Sequence, residues 1–297
     1  MRSRTTITIL GIIAFVALAG DIFLLSESHG GLQTAYPYLD PGQGFYGKND
    51  LLVNMRPLRE ELTGLVQGKN VSIYFEFLNT GANIRINDTP FFPGSLMKIP
   101  IAMAVMKKIE AGEWTMQDKL VLTDADKNPA YGDLYQLPSG TTFTIQNLLQ
   151  KLLVQSDDTA RAIFVRNLGQ QKVEDVLTYL GLDDVVNSNL QVTAQRYSNF
   201  WRSLYTASYL SADSSQKLLE IMDLPHDQTL LRDGIPDAVN FSHKIGVYGD
   251  TYSDSGIVYV PHRPYILTVM VESSSTDEVH EIMKDVSRDA YEYVVRP

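Results

Sequence analysis

The sequence contains a serine and a lysine whose types and spacing could perform acyl-transfer chemistry. Ser95 stands three residues before Lys98, at the start of an apolar run that extends through Met106. If this run is a helix, positions i and i+3 are neighbours on one face. The lysine amine could then take the proton of the serine hydroxyl, provided that burial or a nearby cation lowers its pKa from about 10.4. A serine activated in this way can attack a carbonyl carbon.

The spacing alone is weak evidence, because Ser214 and Lys217 share it. Two further motifs follow Ser95 in chain order. Ser156-Asp157-Asp158 separates two predicted helices, and Lys244-Ile245-Gly246 begins a predicted strand. Three motifs in this order, each in its expected structural setting, make a chance match improbable.

These motifs follow the S-x-x-K, S-D-N and K-T-G signature, and the chain resembles class A β-lactamases and penicillin-binding serine hydrolases over residues 55–297. The resemblance implies that Ser95 is the nucleophile, Lys98 its base and Ser156 a proton relay to the leaving nitrogen. It also implies an oxyanion hole formed by the backbone N–H groups of Ser95 and Val247. Substrate contacts are implied for four residues, which are Asp158, Lys244, Gly246 and Val247.

Two residues of the motifs depart from the signature. Asp158 stands where the family has asparagine, and an ionised carboxylate there would hold Lys98 protonated. Ile245 replaces the hydroxyl residue of the third motif. The resemblance assigns that hydroxyl to the clamp for a substrate carboxylate, so we expect weaker affinity for ligands that carry one.

A third departure concerns deacylation. Class A β-lactamases use a glutamate on an Ω-loop to activate water, but the chain from Gly181 to Thr193 contains no glutamate, and its only acids are Asp183 and Asp184. Efficient hydrolysis of β-lactams is therefore not expected.

The hydrophobic pattern predicts an α/β (α+β) fold. Alternating segments at 71–77 and 84–86, and again at 257–260 and 265–271, predict two hairpins, and the chain between them is mostly helical in pattern. We expect one antiparallel sheet built from both ends of the chain, flanked by the helices at 56–66 and 276–293. The helical middle is expected to form a second lobe, with the ligand cleft between lobe and sheet.

Composition excludes several classes of function. A net charge of −10 argues against a nucleic-acid partner. The chain has no cysteine, which excludes a disulfide framework and a thiolate site, and its five histidines show no ligand spacing. We expect no metal and no cofactor, a small-molecule or peptide substrate, and a monomer.

The N-terminus predicts export. Arg2 and Arg4 precede an apolar stretch that continues, interrupted by Asp21, to Leu25. Residues 1–25 could be a signal anchor, or a signal peptide cleaved after Ala19, and both leave the rest of the chain outside the cytoplasm. The predicted organisation is thus 1–25 membrane segment, 26–54 extracytoplasmic linker and 55–297 hydrolase-like domain.

Three functions remain open from the sequence. The chain could be a serine hydrolase acting on β-lactams or D-Ala-D-Ala-like cell-wall peptides. It could be a penicillin-binding or sensor module that is acylated without efficient turnover. It could also be a catalytically silent cell-wall-binding domain, since Asp158 and Ile245 alter the pocket.

Overall fold

A computed structural model describes residues 36–39, 54–183, 185 and 190–296, and every structural statement below concerns these residues. Their helices include α1 (Arg56–Leu65), α2 (Lys98–Glu110), α3 (Ile145–Leu153), α4 (Asp158–Leu168), α5 (Gln170–Tyr179), α6 (Ala194–Tyr197), α7 (Asn199–Tyr205), α8 (Ala212–Met222) and α9 (Thr276–Val295). The strands include β1 (Val71–Phe77), β2 (Asn83–Ile86), β3 (Lys119–Val121), β4 (Thr142–Thr144), β5 (Phe241–Tyr248), β6 (Thr251–Val258) and β7 (Tyr265–Glu272).

The main sheet is antiparallel and combines both ends of the domain, as predicted. Its strand order is β2-β1-β7-β6-β5, so the N-terminal hairpin pairs with β7 through β1. β1 and β7 are buried along nearly their whole length because both faces of the sheet are covered. β5 is an edge strand, which leaves one of its sides available to line a cleft.

Each face of the sheet borders its own apolar cluster. On one face, α1 and α9 contribute residues such as Leu58, Leu62 and Val286. On the other face, the helical lobe packs around α2, where every residue from Ile99 to Met106 is buried. A helix that is apolar all round belongs in the centre of a fold. α2 is therefore a rigid base for the two residues at its start, Ser95 and Lys98.

Several boundaries differ from the predicted ones. β5 begins at Phe241 rather than Lys244, because polar Ser242 and His243 hide the alternation although both are buried. The last helix is capped by Ser275, whose side chain accepts from the Glu278 N–H, rather than by Thr276. The prolines and glycines between residues 119 and 141 predict an irregular segment, but this segment begins with β3, which pairs with β4 directly after it.

A short segment of the predicted linker packs against the domain. The Tyr38 hydroxyl donates to Asp223 at 2.6 Å and accepts from Asn240 at 3.1 Å, and Leu39 is buried in the core of the helical lobe. Tyr36 donates to Asp213 at 2.7 Å. Residues 36–39 thus connect the N-terminal side of the chain to α8 and the start of β5.

The predicted membrane segment, residues 1–25, lies outside the described residues. Within the residues that are described, no helix has the length and apolar character needed to span a bilayer. The domain boundaries and the export of the chain remain predictions.

Candidate active site

The turn that carries Ser95 lies directly against the edge strand β5. Gly94–Met97 forms a 3₁₀ turn that leads into α2. A Cβ on Gly246 would lie 2.3 Å from the Pro93 carbonyl oxygen, and one on Gly94 would lie 2.9 Å from that of Val247. Both positions require glycine, and Gly94 also has a positive φ of 54°. This close packing brings the backbones of Ser95 and Val247 to one side of the cleft.

Lys98 is the centre of the polar network. Only 2 % of it is exposed. Its Nζ lies 2.8 Å from Ser95 Oγ, 2.7 Å from the Ser156 carbonyl oxygen and 2.7 Å from Asp158 Oδ1. It also lies 3.2 Å from Ser156 Oγ. The structure therefore brings together all four residues that the first two motifs predicted for the site.

The partners of Lys98 decide where its lone pair points. A carbonyl oxygen and a carboxylate can only accept hydrogen bonds. In a neutral amine, the Ser156 carbonyl and Asp158 would therefore take the two N–H groups. The remaining tetrahedral direction, that of the lone pair, faces the hydroxyls and above all Ser95 Oγ, the nearer of the two. This arrangement is the one that a base for Ser95 needs.

Burial and Asp158 act on Lys98 in opposite directions. Loss of water around the ammonium lowers the pKa of Lys98, and the adjacent Asp158 carboxylate raises it, with burial the larger effect. The net pKa lies below the ordinary lysine value. Asp158 therefore limits the downward shift of the Lys98 pKa without abolishing it.

Ser156 adopts a backbone conformation that is rare for serine. Its φ is 54°, in the left-handed region, which costs of order 1–3 kcal/mol for a residue with a side chain. The conformation directs both its carbonyl oxygen and its hydroxyl toward Lys98. The strained residue lies between the two lysines of the site, because Ser156 Oγ also accepts from Lys244 Nζ at 3.0 Å.

Lys244 is enclosed by protein and lies on the opposite side of Ser156 from Lys98. It is 1 % exposed, and its Nζ also donates to the Ile245 carbonyl at 3.0 Å. Burial, reinforced by the positive charge of Lys98, lowers the pKa of Lys244 to about 7. Lys244 can therefore exchange a proton with Ser156 near neutral pH.

Asp157 positions the loop beside the serines. Its carboxylate accepts from the backbone N–H groups of Asp133 at 2.8 Å, Leu134 at 3.0 Å and Ala160 at 2.7 Å. The last of these bonds caps α4. Gly132 has a φ of 89°, and a Cβ there would lie 2.0 Å from the Asp157 carboxylate. Asp157 thus has the local structural contacts that the sequence predicted.

The serines and Lys244 open onto a cavity of about 390 Å³. Its wall includes residues that the sequence did not assign to the site, which are Tyr131, Val154, Gln155, His226, Asp227 and Gln228. The irregular sequence around Tyr131 allows either a wall of the cleft or packing within the loop, and we expect packing. Tyr131 is instead 41 % exposed and lines the cavity. Val154 and Gln155 directly precede Ser156, so their position next to the second motif could have identified them as site residues.

The scattered positions of the histidines in the sequence predict a surface position for His226, and this prediction is wrong. It is partly buried against His243, with the ring centroids 4.4 Å apart, and its Nε2 lies 3.2 Å from the Met222 carbonyl oxygen. Burial lowers the pKa of His226 to about 3, so the ring is neutral. His243 itself is bound to the buried Asp254 at 2.9 Å and is not among the residues that line the cavity.

Other candidates from the sequence lie elsewhere. The second serine–lysine pair, Ser214 and Lys217, does not line the cavity. Lys217 instead contacts Glu220 at 3.6 Å. Among the described residues, no group of three or more histidine, aspartate or glutamate side chains could hold a metal ion. Asp184, one of the two acids considered for deacylation, lies outside the described residues.

The fold and the site together define a class of protein. An antiparallel sheet with a helical lobe holds a serine at a helix start, a buried lysine on it, and a second serine and lysine around the same cleft. A family model described as the beta-lactamase enzyme family matches residues 57–294. The chain belongs to this family, which confirms the predicted superfamily and supports serine hydrolase activity in general.

Individual relatives are distant. Beta-lactamase VEB-1 from Pseudomonas aeruginosa is 23 % identical over 267 residues, which cover 78 % of this chain and 89 % of VEB-1. The structure of PBP-A is 24 % identical with a TM-score of 0.72, covering 80 % of this chain and 95 % of PBP-A. A β-lactamase from Sphaerobacter thermophilus is 22 % identical with a TM-score of 0.75, covering 82 % of this chain and 100 % of that one. These structures confirm the fold.

Proposed function

We propose that this protein is an exported serine hydrolase that forms an acyl-enzyme on Ser95. The observation that carries the proposal is the environment of Lys98 Nζ, which is buried, bonded to two obligate acceptors and 2.8 Å from Ser95 Oγ. The lowered pKa of Lys98 favours the neutral amine, which is the form that a general base requires.

Acylation follows from the contacts in the cleft. Ser95 Oγ attacks the carbonyl carbon of an amide or lactam and gives its proton to neutral Lys98. The backbone N–H groups of Ser95 and Val247 bind the oxyanion of the tetrahedral intermediate. As the carbon–nitrogen bond breaks, Ser156 passes a proton to the nitrogen and recovers one from Lys98 or Lys244, which lie 3.2 and 3.0 Å from its Oγ.

The substrate class is proposed as β-lactams or D-Ala-D-Ala-like cell-wall peptides. Membership in the beta-lactamase enzyme family supports this assignment. A PBP-A variant has been solved as an acyl-enzyme complex with penicillin G, which is the chemistry proposed here for Ser95. Export is proposed from the basic N-terminus and the apolar stretch to Leu25, with residues 1–25 as anchor or cleaved signal.

A second candidate function is a penicillin-binding or sensor module that keeps its acyl group. No glutamate stands between Gly181 and Thr193, so the water-activating group of class A β-lactamases has no counterpart in that segment. Lys98 remains the nearest base to the acylated serine, but the Asp158 carboxylate raises its pKa and so opposes the neutral form that activates water.

The lifetime of a penicillin adduct separates these functions. Purified protein is incubated with penicillin G, and intact mass is followed for hours, with Ser95→Ala as the control. A hydrolase loses the added mass within minutes, and a binding module retains it. No adduct on the wild type at any pH from about 6 to 9, either with penicillin G or with an acyl donor whose leaving group lacks a carboxylate, would refute both functions and leave a silent cell-wall-binding domain.

A further inference from the structure

The side of the cavity that receives the leaving group can be identified from the proton path. In the proposed reaction, Ser156 protonates the departing atom, and Ser156 Oγ is bonded to Lys244 Nζ at 3.0 Å. The leaving group therefore lies along Ser156, Lys244 and Ile245, and extends toward the loop of residues 226–228. The charges on this wall decide which leaving groups the site accepts.

The wall offers little to an anion. Among the described residues that line the cavity, Lys244 is the single lysine or arginine. Two of its N–H groups are already donated, to Ser156 Oγ and to the Ile245 carbonyl. With a pKa of about 7, part of the Lys244 population is neutral at physiological pH. The neighbouring His226 is also neutral.

Neither Ile245 nor Arg232 replaces a carboxylate clamp. Ile245 is 6 % exposed and belongs to the apolar cluster below the sheet, so position 245 provides no hydroxyl. Arg232 lines a neighbouring cavity of about 340 Å³, which shares His226 and Gln228 with the first but is not lined by Ser156 or Lys244. Its guanidinium donates to the carbonyl oxygens of Val239 at 2.6 Å and Pro236 at 3.3 Å.

The remaining charges on the cavity are negative. Asp133 is neutralised by Lys151, whose Nζ lies 2.7 Å from its carboxylate. Asp227 is exposed and has no ion pair with any described residue. An unpaired carboxylate next to the leaving-group wall repels an anion and attracts a cation.

We propose that the acyl donor preferred by this site has a leaving group without a carboxylate, either uncharged or cationic, with Asp227 facing the cation. The inference rests on the proposed acyl transfer at Ser95. The bond between Ser95 Oγ and the carbonyl carbon forms, the bond to the leaving atom breaks, and that atom takes the proton relayed through Ser156. Substrates that carry the carboxylate react by the same steps, but with lower kcat/KM.

Three matched thioesters test this inference. N-acetyl-D-alanyl thioesters of 2-mercaptoacetate, its methyl ester and thiocholine carry an anionic, a neutral and a cationic leaving group. Each kcat/KM is divided by the rate constant for hydroxide-catalysed hydrolysis, which corrects for intrinsic reactivity. We expect the anionic thioester to be roughly tenfold or more slower than the neutral one, the size of one charge-assisted hydrogen bond. The cationic thioester should equal or exceed the neutral one.

Substitutions at positions 245 and 227 test which residues cause the leaving-group preference. Ile245→Thr should raise the anionic-to-neutral ratio, whereas Ile245→Val, which has the same shape without the hydroxyl, should keep the wild-type ratio. Asp227→Asn should lower the cationic-to-neutral ratio, and its exposed position makes misfolding of this variant an unlikely complication. Equal anionic-to-neutral ratios in Ile245→Thr and Ile245→Val would count against the role of position 245. An unchanged cationic-to-neutral ratio in Asp227→Asn would count against the role of Asp227.

The outcomes separate this inference from the proposed function. If all three thioesters acylate Ser95 and the anionic one is the best substrate, the leaving-group inference is wrong and the acyl-transfer function stands. If none gives turnover or an adduct on Ser95 by mass spectrometry, both are wrong. A neutral or cationic preference that disappears with the two substitutions supports the inference.

Discussion

Replacing Asp158 with asparagine tests how the site sets the protonation of its base. Asp158 Oδ1 lies 2.7 Å from Lys98 Nζ, and its side chain is 17 % exposed. Asparagine keeps the shape and can accept a hydrogen bond from the lysine, but it carries no charge. The substitution therefore removes the attraction that favours the ammonium form and leaves burial, which favours the neutral amine.

The magnitude follows from the distance. Two unit charges 2.7 Å apart interact by about 6 kcal/mol at an effective dielectric constant of about 20. Asparagine retains part of the hydrogen bond, so only part of this energy is lost, and the pKa of Lys98 should fall. Because acylation requires the neutral amine, the acid limb of the pH–rate profile should move to lower pH by about one unit or more.

The assay is the second-order rate constant for acylation by a fluorescent penicillin, measured from pH 5 to 9. Asp227→Asn is the control for the position of the acid limb, since it removes one negative charge from the cavity wall, whereas the ion pair of Lys98 is with Asp158. Asp158 is also the first residue of α4, so the thermal midpoint is recorded to show that the variant is folded. An acid limb that stays in place or moves to higher pH in Asp158→Asn refutes Lys98 as the base.

Further predictions concern the supports of the site. Gly132→Ala should lower the free energy of unfolding by more than 2 kcal/mol and reduce acylation, because its Cβ would meet the Asp157 carboxylate at 2.0 Å. Gly140→Ala, which has a similar φ of 94° and open space around it, should cost only about 1 kcal/mol, and equal losses in chemical denaturation would contradict this reading. Tyr38→Phe should cost ~1–2 kcal/mol by removing the hydroxyl bound to Asp223. Tyr36→Phe, at an exposed contact, should have a smaller effect on the thermal midpoint, and the reverse order would argue against docking of residues 36–39.

The sequence predicted the catalytic side of the site because local rules govern it. The spacing of Ser95 and Lys98 places both at the start of α2, and the helix is recognisable from its apolar composition. The second motif separates α3 from α4 and the third lies within β5, so their order along the chain supported the fold assignment. The antiparallel sheet from both chain ends followed from two alternating segments far apart in sequence.

The rest of the cavity depended on tertiary packing that leaves no local pattern. His226 lies in a loop without periodicity, and its burial comes from His243 on β5. Tyr131 lines the cavity because Asp157, 26 positions later in the chain, holds its loop in place. The Asp157 carboxylate accepts from the backbone N–H groups of Asp133 and Leu134. The pKa of Lys98 depends on how deeply its side chain is buried as well as on Asp158. The sequence shows that Asp158 is present but does not show the extent of burial.

Mapping the acylated residue tests the central claim most directly. The protein is treated with penicillin G, digested and analysed by tandem mass spectrometry, beside Ser95→Ala and Lys98→Met treated in the same way. The proposed mechanism predicts one added acyl group on Ser95 in the wild type, none in Ser95→Ala, and strongly slowed addition in Lys98→Met. An adduct on Ser156 or another residue, or unchanged labelling of Ser95→Ala, would contradict it.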